Sequence, residues 1–66
     1  MEGVIKTLVS DKGFGFIAVD GEDKDLFFHR NELNGVNYED LKVDDRVSFE
    51  KADSEKGPNA VNVARI

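Results

Sequence analysis

The chain contains no cysteine and no tryptophan, and it has a single proline, a single histidine and a single tyrosine. Without cysteine there are no disulfides, no thiolate zinc site and no thiol redox chemistry, so a reducing compartment such as the cytoplasm is the expected location. The opening "MEGVIKTLVS" lacks the basic region and unbroken apolar run of an export signal. No segment is long and apolar enough to span a bilayer, so no membrane association is expected. Sustained helical periodicity is missing too. Positive charge is scarce: 9 Lys and Arg against 14 Asp and Glu give a formal net charge of −5, which repels phosphate at long range. At 66 residues the chain can bury one small core, so it is expected to form a single domain over residues 1–66. For such a size the expected stability is on the order of 3 to 5 kcal/mol.

Short apolar alternation is the main signal present. It predicts five strands, at Glu2–Val9, Phe14–Val19, Asp25–His29, Arg46–Lys51 and Asn59–Arg65. Turn-forming residues separate them in "SDKG", "DGEDKD" and "SEKGP", and the long connection "RNELNGVNYEDLKVDD" is expected to hold one short helical turn. Strands this short, with no crossover helix, are most economically arranged as an all-β, five-stranded antiparallel closed barrel, which leaves no exposed edge.

Strand parity then divides the side chains. Ile5, Ile17, Val19, Leu26, Phe28, Val47, Phe49, Val61 and Val63 are expected to fill the interior. Phe14, Phe16 and Phe27 fall outside, in phase with Lys12, Asp25 and His29. A single exposed ring is ordinary, and rings paired across strands also stabilise a sheet. Three rings in phase with Lys12 and His29 point instead to a stacking platform for nucleobases. Gly13 and Gly15 put no side chain on the opposite face, which lets the strand curve. Lys6 and Lys12 would meet phosphate, and His29 would stack or donate a hydrogen bond.

Other chemistries find little support. His29 is alone and there is no cysteine, so no metal cluster and no cofactor are expected. "DGEDKD" lacks the ordered spacing and terminal glutamate of a calcium loop. "GFGF" lacks the third glycine and following helix of a dinucleotide fingerprint. Ser10, Ser48 and Ser54 have no base constellation, so catalysis is not expected.

"KGFGFI" followed by "DLFFH" resembles the paired ribonucleoprotein motifs of the bacterial cold-shock domain, and "VSFEK" with "GPNAVNV" resembles its last two strands. The resemblance runs nearly end to end. It implies an oligonucleotide/oligosaccharide-binding (OB) barrel that grips single-stranded RNA or DNA, in the manner of an RNA chaperone. The implied binding residues are Lys6, Lys12, Phe14, Phe16, Asp25, Phe27, His29, Tyr38, Lys56 and Pro58. Tyr38 stands where the family has phenylalanine, and its local sequence suits a loop anchor packed on the barrel equally well.

Two departures stand out. Where the family reads lysine, tryptophan, phenylalanine, asparagine, this chain reads "KTLV", so Thr7 replaces a strong stacking ring. After His29 the family has another aromatic and this chain has Arg30, whose guanidinium can stack on a base or pair with phosphate. Leu8 and Val9 add apolar character beside the platform, either as core filling or as a partner contact. The expected state is a monomer that binds single-stranded nucleic acid. The alternative is a protein-interaction or self-associating barrel using the same face.

Overall fold

The alternation becomes five strands in a computed structural model that describes residues 1–54 and 57–66. They are β1 (Glu2–Val9), β2 (Phe14–Val19), β3 (Asp25–His29), β4 (Arg46–Ser54) and β5 (Gly57–Arg65). The first three have the expected bounds. β4 and β5 run further toward their connection than expected, because pairing continues through Ala52–Asn59, Asp53–Pro58 and Ser54–Gly57. Gly57, at φ 112°, takes up the positive backbone angle that the reversal needs. Between β3 and β4 lie two 3-10 turns where one helical turn was expected, Arg30–Glu32 and Tyr38–Asp40.

The strands close into a barrel in the order β1-β2-β3-β5-β4. Every neighbouring pair is antiparallel except β3 and β5, which run parallel at Phe27–Asn59. The purely antiparallel expectation fails for a topological reason: an odd number of strands in a closed ring cannot alternate direction all the way round. The seam between β3 and β5 is short, continued by an isolated bridge from Leu33 to Val63.

Two bulges set which residues face inward. In β1 the register shifts between Ile5 and Thr7, so Lys6 is the extra residue, and Lys6 and Thr7 are both exposed. Ile5 and Leu8 consequently both point to the core, three positions apart. In β5 the register runs from Ala64 opposite Ser48 to Val61 opposite Glu50, leaving one residue extra. Asn62 absorbs it at φ 52°, a left-handed angle that asparagine tolerates better than most residues. Its side chain donates to Glu50 Oε2 at 2.6 Å. The bulge reverses the parity of the strand, so Ala60 is buried while Val61, expected in the core, is half-buried on the other face.

The remaining expected core residues, Ile5, Ile17, Val19, Leu26, Phe28, Val47, Phe49 and Val63, are all buried. Leu41 joins them from the connection after the second 3-10 turn and closes one end of the barrel. No polar or charged residue is buried among the described residues. The interior is held by packing alone, at roughly 25 cal/mol for each Å² of apolar surface removed from water.

Candidate nucleic-acid interface

The outward face of β2 and β3 is fixed by their register. Phe14 lies opposite His29, Phe16 opposite Phe27 and Ala18 opposite Asp25, with the pairs on one side of the sheet. The rings of Phe14, Phe16 and Phe27 form a triangle. Centroids are 5.9 Å apart for Phe14–Phe16, 5.2 Å for Phe14–Phe27 and 5.9 Å for Phe16–Phe27, two of the contacts edge-to-face. The two contacts to Phe27 supply the cross-strand pairing weighed above, all three being worth about 0.5–1.5 kcal/mol each, and none of the rings is fully buried. Phe27 is 36 % exposed, and Phe14 and Phe16 are half-buried. From β1, Thr7 sits opposite Phe16 and Val9 opposite Phe14, so Thr7 borders the ring triangle.

Close packing beneath the rings requires glycine. A Cβ on Gly15 would lie 2.5 Å from the Thr7 carbonyl oxygen and 2.8 Å from Phe28 Cε1, so the β1–β2 approach and the inner Phe28 ring together leave no room for one. Gly13, at φ 71°, is covered by a different residue: its Cβ would lie 2.8 Å from Arg30 Cδ. The Arg30 N–H donates to the Gly13 carbonyl at 2.8 Å, which fixes the end of β3 against the β1–β2 turn.

The polar candidates divide into two groups. At the Asp25 end, Lys6 Nζ lies 3.8 Å from Asp25 Oδ2, an exposed pair that partly neutralises both groups. At the Phe14 end, Lys12 is exposed in the turn, and neither Lys12 nor Arg30 forms an ion pair among the described residues. His29 accepts a hydrogen bond at Nδ1 from the Asn31 N–H at 3.2 Å, which caps the first 3-10 turn and leaves Nε2 as the nitrogen that carries the proton of the neutral ring. Pro58 is exposed on β5, next to the Asn59 that pairs with Phe27. Lys56 lies outside the described residues.

Tyr38 is the loop anchor that its sequence allowed. Its hydroxyl donates to the Phe14 carbonyl at 2.7 Å, and its ring packs against the core cluster. Desolvation raises the phenol above its ordinary pKa, opposed in part by a hydrogen bond with the Val9 backbone. Leu8 also packs against the core, so of the two apolar additions in "KTLV" only Val9 borders the outer face. Arg30 does not join the platform: it continues the inward parity of Phe28 and lies over Gly13 at the end of the barrel. Sequence reasoning did not foresee the groove there, which Arg30 shares with Tyr38 and Glu39; the only available signal was the parity of "FFHR" continued one residue past the strand. Among the described residues no helix is long and apolar enough to cross a membrane, and no group of acidic or imidazole side chains could hold a metal ion.

The sequence matches the 'Cold-shock' DNA-binding domain family over residues 1–66. Cold shock protein CspA of Staphylococcus saprophyticus is 38 % identical over 65 residues, covering 98 % of this chain and 97 % of the relative. Cold shock protein ScoF of Streptomyces coelicolor is 41 % identical over 61 residues, covering 92 % of this chain and 91 % of the relative. Among solved structures, one described as drosophila Unr CSD456 is similar with a TM-score of 0.80 at 26 % identity. That match covers 98 % of this chain, which spans 26 % of the neighbour's length.

Proposed function

This chain belongs to the cold-shock domain family, a family of nucleic-acid-binding domains, and on that premise we propose that its outward aromatic face binds single-stranded RNA or DNA by base stacking. The observation that carries the reading is the triangle of Phe14, Phe16 and Phe27 on one face, bordered by His29. Each ring offers a face to a base that is not already stacked in a duplex, so single strands are preferred. Holding bases apart in this way would keep RNA from folding on itself, the action of a chaperone in the cytoplasm. The whole chain would serve as one binding domain, monomeric and without catalytic chemistry.

Charge plays a secondary part. Beside the platform, Lys12 forms no ion pair among the described residues, and Lys6 is partly neutralised by Asp25. With these two lysines meeting at most about two phosphates, the log–log salt slope on a single strand is expected to be no steeper than about −1.4. Titration of labelled oligo(dT) and oligo(U) at two salt concentrations, with the wild type and Phe16→Ala, tests both points. The expected result is saturable binding with a shallow salt slope, weakened roughly 5- to 150-fold by the substitution, the equivalent of about 1–3 kcal/mol for one stacked base. Unchanged affinity in Phe16→Ala would reject the platform.

A further inference from the structure

Beyond the platform, at the end of the barrel, Leu8, Ser10, Arg30, Tyr38, Glu39 and Leu41 line a groove of about 410 Å³. That volume lies within the range of small-ligand clefts, about 300–1,000 Å³. The lining combines three kinds of group. Leu8 and Leu41 belong to or pack on the core and give an apolar floor. Tyr38 supplies a ring whose position is fixed by its hydroxyl bond to the Phe14 carbonyl. Arg30 supplies five N–H donors, on a side chain seated against Gly13.

The charges in the groove do not neutralise one another. Arg30 and Glu39 both line it, yet no ion pair joins them among the described residues. A guanidinium and a carboxylate that share a groove without meeting can be bridged by a flat group with paired acceptors on one edge and paired donors on another. Among the nucleobases, guanine alone has both: O6 and N7 accept from arginine in a bidentate contact, and N1–H with the 2-amino group donates to a carboxylate. Adenine places a donor beside N7, and uracil has a single N–H.

We propose that this groove is a guanine-selective subsite, with the base stacked on Tyr38, its O6/N7 edge on Arg30 and its N1/N2 edge on Glu39. The subsite rests on the single-strand reading above and deepens it. Its anchor through the Phe14 backbone makes it continuous with the Phe14 end of the platform, so one strand would occupy both. Glycine at position 13 is then required twice, for its positive φ and as the surface on which Arg30 lies. In this assignment the substitution of arginine for an aromatic after His29 exchanges sequence-tolerant stacking for base selection.

The test compares labelled seven-nucleotide oligo(U) with the same oligomer carrying one guanosine, placed in turn at each end and in the middle. A single guanosine cannot form a quadruplex. The wild type is expected to bind at least one guanosine-containing oligomer about tenfold tighter than oligo(U). Inosine at that position, which lacks the 2-amino group, and 7-deazaguanosine, which lacks N7, should each remove most of the gain. These two ligands probe the Glu39 and Arg30 contacts on the unaltered protein. Arg30→Met and Glu39→Gln should bring the ratio between the two oligomers toward one. A merely structural role would lower both affinities together and leave the ratio intact, which would overturn the assignment. Equal binding of all oligomers by the wild type would reject the guanine subsite while leaving the platform standing. Failure to bind any of them would remove the platform and the subsite together.

Discussion

Phe27 and Phe28 are consecutive residues of one strand, yet the first is 36 % exposed and the second completely buried. They are the same side chain in opposite roles. Phe28 fills the interior against Gly15, and Phe27 belongs to a ring triangle that the interior does not need. The same contrast holds around the outside of the barrel. On the side of β1 and β4, Arg46 is bonded to Asp20 at 2.7 Å and lies 3.4 Å from Glu2, while Lys51 lies 3.9 Å from Glu22. Around Phe14, Lys12 and Arg30 have no such partners among the described residues. A formal net charge of −5 therefore says little about any one face, because Glu2, Asp20 and Glu22 lie against the protein's own cations, away from the rings.

The contrast between the two phenylalanines can be broken experimentally. Phe28→Ala removes a fully buried ring, at a cost of about 3–5 kcal/mol. That equals the whole stability expected of a domain this small, so circular dichroism should show an unfolded chain at room temperature. Phe27→Ala should leave the fold standing in the same experiment and weaken oligonucleotide binding instead; a loss of fold comparable to that of Phe28→Ala would erase the distinction between the faces.

Gly15→Ala sharpens the same comparison from below. The new methyl would meet the Thr7 carbonyl and the Phe28 ring, and overpacking of this kind costs about 1–3 kcal/mol. Chemical denaturation should register the loss, and a variant as stable as the wild type would mean that the strands separate easily there.

The smallest expected effect is at Tyr38. Burial raises its phenol pKa relative to the unfolded chain. The folded state therefore holds the proton more firmly than the unfolded state does, and the stabilisation is present below the unfolded pKa of about 10. It is lost as pH rises through the folded pKa, where the hydroxyl also ceases to donate to the Phe14 carbonyl. Absorbance titration is unambiguous, because this is the only tyrosine and there is no tryptophan. The midpoint should lie above that of an exposed tyrosine, and an ordinary midpoint would argue that the anchor is loose.

Much of the molecule was legible because period-two alternation is a direct readout of which face a residue takes. It placed Phe14, Phe16 and Phe27 together, and eight of the buried residues with them. It failed where the backbone interrupts the period. Val61 and Ala60 exchange roles because Asn62 turns left-handed, and a lone asparagine in "NAVNV" does not announce a bulge. Leu41 was missed because it reaches the core from an irregular segment, where alternation has no meaning. Arg30 shows a third limit. Its charge and position beside His29 suggested the platform, and only the continued parity and the missing side chain of Gly13, on which it lies, direct it to the end of the barrel.

The seam between β3 and β5 has a consequence for how long the protein lasts. Phe27 contributes its backbone to the pair that closes the ring of strands and its side chain to the surface on which a base would rest. Any ligand held on that ring favours the closed state, and at one hundred times its dissociation constant it adds about 2.7 kcal/mol to folding. For a chain with only a few kcal/mol in reserve, that is most of the margin between endurance and degradation. The number of folded copies at any moment would then follow the supply of unpaired strands, and a copy without one would be the first to be opened by a protease.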